Sequence, residues 1–98
     1  MPRQAASVDA NQSKIVKTLR AVGASILHLH AVGKGCPDIL VGFRGENFLM
    51  EIKDGDKIPS KRKLNKGQVD WHRAWRGQVV VVNDYDEALA VIFKDRVS

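Results

Sequence analysis

One stretch, PDILVGFRGENFLMEIK at 37–53, constrains this chain more than any other. Two apolar runs flank a short segment of glycine and polar residues, which is the pattern of a β-hairpin. A two-residue turn at Gly45-Glu46, where a leading glycine suits type II′ geometry, sets Asp38 opposite Lys53 and Leu40 opposite Glu51. Strand side chains alternate between faces. Ile39, Val41, Phe43, Phe48, Met50 and Ile52 therefore share one side, and that side is wholly apolar and belongs in a core. The other side carries Asp38, Leu40, Gly42, Leu49, Glu51 and Lys53, with its charges gathered at the open end of the hairpin.

Two neighbouring carboxylates repel and do not both stay ionised cheaply. A divalent cation removes that cost, and oxygen ligands suit Mg²⁺ or Mn²⁺. A metal held there polarises a phosphodiester oxygen and lowers the pKa of a bound water. Lys53 beside it is placed to orient the attacking water or stabilise transition-state charge. The competing reading is an ordinary Glu51–Lys53 or Asp38–Lys53 ion pair on an exposed strand end.

The rest of the chain supplies a frame for that hairpin. Ile15, Val16, Leu19 and Val22 recur at helical spacing, and Gly23 is a natural stop. ASILHLH at 24–30 reads as a half-buried strand, and AVGKGCP as a glycine-rich loop in which Gly33 and Gly35 permit a close backbone approach. After the polar loop DGDKIPSKRKLNKG, residues 68–76 have helical spacing, with Gly77 as a C-terminal stop. QVVVV reads as a central strand buried on both faces, and Asp84 as the cap of a last helix bearing Ala88, Leu89 and Ile92. The order is α-β-β-β-α-β-α, an α/β domain.

At 98 residues the chain is one domain, expected over 9–98 behind a flexible arm at 1–8. No apolar run approaches a membrane span, and the first twenty residues lack a signal-peptide core. The single cysteine, Cys36, excludes an internal disulfide and fits a reducing compartment, with the residue itself buried and inert. Net charge is +5 with pI near 9.7, a balance that favours anionic partners, nucleic acid first.

PD at 37–38, twelve intervening residues and EIK at 51–53 together resemble the PD-(D/E)XK nuclease superfamily. The GKGCPD loop and GQVDWHRAWRGQVVVVNDYDEAL are similar to the small VRR-NUC nucleases of phages and bacteria, over roughly residues 9–92. The resemblance implies a restriction-endonuclease-like fold, a mixed central sheet flanked by helices. It implies an Mg²⁺- or Mn²⁺-dependent endonuclease with Asp38, Glu51 and the Ile52 carbonyl as metal ligands. Lys53 becomes the catalytic lysine, and Gln68 the glutamine that positions it or the DNA backbone. Where the family carries a first-helix glutamate, this chain has Gln12, which brings an amide oxygen but no charge; Asp9 is the nearest acid. By the same analogy the protein acts as a homodimer on branched DNA such as four-way junctions, in bacterial or phage-infected host cytoplasm.

Lys57, Lys61, Arg62, Lys63 and Lys66 crowd the loop before the second helix, and Lys34 sits in the glycine-rich loop. These are the expected DNA-phosphate contacts. Arg3, Lys14, Lys17 and Arg20 extend a basic surface toward the first helix. Trp71 and Trp75, four apart, are expected to pack on the sheet, and His72 lies one turn from Gln68.

Overall fold

The computed structural model describes residues 10–94. The expected arm at 1–8, with Arg3, and the acid Asp9 lie outside the described residues. The elements are α1 (Ala10–Ala21), β1 (Ser25–His28), β2 (Ile39–Phe43), β3 (Glu46–Ile52), α2 (Lys66–Ala74), β4 (Val80–Val82) and α3 (Tyr85–Ile92), with a 3₁₀ turn at Pro59–Lys61. The order is the expected α-β-β-β-α-β-α, and the four strands form one mixed sheet in the order β1-β2-β3-β4. β1, β2 and β3 are antiparallel, whereas β4 runs parallel to β3. No described helix is long and apolar enough to cross a membrane.

The core is built as strand parity dictates. Ile39, Val41, Phe43, Phe48, Met50 and Ile52 are all buried, and they join Ile15, Val16 and Leu19 of α1 and Ala88 and Ile92 of α3 in one cluster. α1 ends on Gly23, at φ 102°, where the amides of Gly23 and Ala24 donate to the carbonyls of Arg20 and Leu19 in a Schellman closure. Asp84 caps α3 as expected, its carboxylate accepting the Glu87 amide hydrogen at 2.8 Å.

The hairpin register differs from expectation by two residues. Phe43 pairs with Glu46, so the turn is Arg44-Gly45, both left-handed at φ 51° and 81°, as a type I′ turn requires. A non-glycine residue in that region costs roughly 1 kcal/mol. The Arg44 guanidinium lies 4.9 Å from the Phe43 ring and 5.2 Å from that of Phe93, a cation–π contact that offsets the cost. A slip of two leaves every side chain on its face, which is why the core forms regardless.

Three other expectations are corrected. QVVVV is not a central strand: β4 is short, lies at the sheet's edge, and only Val82 in it is fully buried. Beyond its start, the Gln78 carboxamide takes over the pairing, accepting from Leu49 N–H at 2.7 Å and donating to Leu49 C=O at 3.1 Å. Second, α2 buries no residue, so Trp71 and Trp75 stack on one another at 4.8 Å rather than entering the core, with Trp75 exposed. Third, α2 runs two residues ahead of 68–76 and ends before Gly77, which is not its cap. The asparagine at Asn65 sets that start: its Oδ1 accepts the Gln68 amide hydrogen while Gln68 Oε1 accepts that of Asn65, each at 2.9 Å.

Candidate active site

The site forms where β2 begins and β3 ends. Asp38 donates its N–H to the Met50 carbonyl at 3.1 Å, and its Oδ2 accepts the Ile52 amide hydrogen at 2.7 Å. Since Ile39 pairs with Met50, one further ladder step puts Asp38 level with Glu51 rather than with Lys53. The corrected register thus sets the two carboxylates side by side.

Glu51 is 2% exposed, and its Oε1 receives no donor N–H among the described residues. Burial first, then a hydrogen bond shared with Asp38 and the charge of Asp38, together push its carboxyl up to about 8 against the opposing pull of Lys53. A Glu51–Lys53 contact exists, but at 4.0 Å and with a buried acid, so it is not the solvated strand-end pair of the competing reading. Two adjoining carboxyl groups, one of them buried, offer a suitable oxygen donor set for a hard divalent ion. No group of three His, Cys, Asp or Glu side chains converges among the described residues, so any further ligand is a carbonyl, an amide or water.

Gln68 links the acid to the lysine. Its Nε2 donates to Glu51 Oε2 at 3.0 Å, and its Oε1 accepts from Lys53 Nζ at 2.9 Å as well as from the Asn65 amide. Both lone pairs of the amide oxygen are used, so turning the amide over would forfeit every one of these bonds. The Lys53 carbonyl is fixed from behind: Asn11 Nδ2 donates to it at 2.6 Å and to the Asn83 carbonyl at 3.1 Å, tying α1 to the ends of β3 and β4.

An open cavity of about 310 Å³ joins Asp38, Glu51, Ile52, Lys53 and Gln68. Gln12, 5% exposed in the first turns of α1, reaches the same cavity, and Asp54, Lys57 and Lys61 complete its wall. All five residues expected to carry chemistry, and the Ile52 position, are thus brought together. Of the six expected phosphate contacts, Lys57 and Lys61 line the cavity and four do not. Arg62 Nε donates to the Lys57 carbonyl at 2.8 Å, pinning the loop, and Lys66 pairs with Asp70 at 2.8 Å. Lys34 and Lys63 are exposed outside the cavity.

The glycine-rich loop serves protein packing. A Cβ on Gly35 would collide with the Gly67 carbonyl, so this loop lies directly against the start of α2. Cys36, half-buried rather than buried, has its thiol pushed up by burial, then by Glu51 and Asp38, which keeps it protonated and unreactive. His72 is pushed down by burial and then by the charge of Lys53, and so is neutral at pH 7. Asn11, Asn65 and Asp54 were not foreseen as parts of the site. For Asn65 the signal was present, an asparagine three residues ahead of a glutamine; for Asn11 and Asp54 the sequence offers none.

No protein-family model and no curated protein matches the sequence. A solved structure described as a VRR_NUC domain superposes on 85% of this chain and 90% of its own, with a TM-score of 0.59 and 24% identity. The chain has the fold of that domain.

Proposed function

We propose that this protein is a metal-dependent DNA endonuclease that hydrolyses phosphodiester bonds. The single observation that carries this is the pairing of half-buried Asp38 with buried Glu51, joined through Gln68 to Lys53 in one open polar cavity. Asp38, Glu51 and the Ile52 carbonyl would hold Mg²⁺ or Mn²⁺. Such an ion, when bound, supplies polarisation of a phosphate oxygen and a water of lowered pKa.

The chain's own residues supply the rest. Lys53 Nζ has three donor hydrogens and gives one to Gln68. The remaining two are available to the attacking water or to a non-bridging oxygen whose charge grows in the transition state. Lys57 and Lys61 bring cations to the rim, where they attract the phosphate backbone. One cavity cuts one strand, so symmetric cutting of two strands calls for a two-fold dimer. By analogy with the fold, a homodimer acting on branched DNA such as a four-way junction fits that arithmetic.

A second reading has one observation in its favour. Gln12 occupies the cavity wall where a glutamate would add charge, and a weaker metal seat leaves a protein that binds DNA without cutting it. Incubation with a labelled four-way junction and Mn²⁺ separates the two. Cleavage that Lys53→Ala abolishes supports the nuclease. Binding without cleavage supports the second reading, and absence of both rejects the site as nucleic-acid machinery.

A further inference from the structure

Beside the acid-lined cavity lies another of about 350 Å³, bounded by Gln12, Ser13, Val16, Lys17, Arg20 and His28. Gln12 belongs to both walls, so the two hollows adjoin across one side chain. Five of the six residues come from α1. Ser13, Lys17 and Arg20 recur at four- and three-residue steps and are exposed along one helix face, while Gln12 and Val16 are buried beneath. His28, exposed on β1, closes the opposite side.

The charges in this hollow are unbalanced. The segment ANQSKIVKTLRA contains no acid, and none lines the cavity. Neither Lys17 nor Arg20 forms an ion pair among the described residues. An acid three or four residues away would stabilise such helix cations; none is present, and Lys17 and Arg20 line a concavity that shares its Gln12 wall with the candidate active site.

The spacing suits a nucleic-acid strand. At 1.5 Å rise per residue, Lys17 and Arg20 lie about 7 and 12 Å along the helix from Gln12. With one phosphate per strand every ~3.4 Å of duplex axis, those distances from the shared Gln12 wall are on the scale of a few nucleotides. We propose that this cavity is a backbone-phosphate subsite for DNA on one side of the scissile bond. Lys17 and Arg20 neutralise phosphates there, with Ser13 and His28 as hydrogen-bonding groups at its edge. Lys57 and Lys61 serve the active-site cavity itself. The inference rests on the nuclease reading and specifies the path its substrate takes.

The test is anisotropy titration of a labelled duplex with unphosphorylated ends, without divalent metal, across a KCl series. The double variant Lys17→Gln/Arg20→Gln changes only exposed side chains, and circular dichroism confirms that it folds. Its log–log salt slope falls by about 2, and its low-salt affinity drops at least roughly tenfold. Lys17→Arg/Arg20→Lys keeps the slope of the unaltered protein. A double glutamine variant with unchanged slope and affinity overturns the subsite and leaves the nuclease reading intact. If the double glutamine variant loses slope as expected but the unaltered protein cuts no DNA with Mn²⁺, the nuclease reading falls, and with it the place beside a scissile bond, while phosphate binding by Lys17 and Arg20 stands.

Discussion

Gln68 Nε2 donates a hydrogen bond to Glu51 Oε2 at 3.0 Å, and this contact joins the sheet to a helix that buries no residue of its own. The placement of α2 therefore depends on polar bonds made inside the candidate site. Gln68→Ala removes the bonds to Glu51, Lys53 and Asn65 together. It is expected to lower stability by about 1–3 kcal/mol, and to slow cleavage because Lys53 loses its holder. Gln68→Glu keeps the length but sets a third carboxylate beside Asp38 and Glu51. Thermal melts at pH 8 should show it less stable than Gln68→Ala.

The proton affinity of Glu51 makes stability depend on pH. Its folded-state pKa, about 8, lies above the ordinary 4.5, so between these values the folded chain binds the extra proton. Stability contributed by that proton is complete below pH 4.5 and is lost as pH rises toward 8. Denaturant melts without metal should therefore show this contribution fall between pH 5 and pH 8, by an amount on the order of a few kcal/mol. Glu51→Gln should flatten the profile and be the more stable protein at pH 8.

Lys53→Met removes the cation nearest Glu51 and the donor proposed to face the phosphate. Its cleavage rate should fall by roughly 10²–10³-fold. Because Lys53 lowers the Glu51 pKa, the carboxyl should also titrate higher, which NMR of a ¹³C-labelled glutamate reads directly. A slower enzyme with an unmoved titration would place Lys53 away from the acid.

Gly35→Ala has two costs, a φ of +82° and a collision with the Gly67 carbonyl. Gly33→Ala has only the first, since nothing lies within 4 Å. The expected losses are about 1 kcal/mol for Gly33 and clearly more for Gly35. Urea unfolding of both variants checks the order, and equal losses would contradict the close loop–helix packing.

Much of the fold was legible because it rests on parity and spacing. The hairpin's apolar face needs only alternation, so it survived a turn misplaced by one residue, which slips the register by two. The site gained from the correction, since Asp38 faces Glu51 in the true register. The turn was misread because Arg44 gives no sign of adopting a left-handed conformation; the rings of Phe43 and Phe93 that accompany it come together only in three dimensions. QVVVV misled because a β-branched run reports packing on its faces and says nothing of neighbours in the plane. Trp71 and Trp75 misled because helical spacing does not tell which surface a helix rests on. α2 rests on a polar site, and its tryptophans cover each other.

The central claim is that Asp38 and Glu51 form a seat for a divalent cation. Calorimetric titration with Mn²⁺ near pH 7, in two buffers of different ionisation enthalpy, tests it most directly. The account predicts saturable uptake with proton release from Glu51, and no comparable uptake by Glu51→Gln. Uptake by Glu51→Gln with unaltered affinity and the same proton release would contradict it.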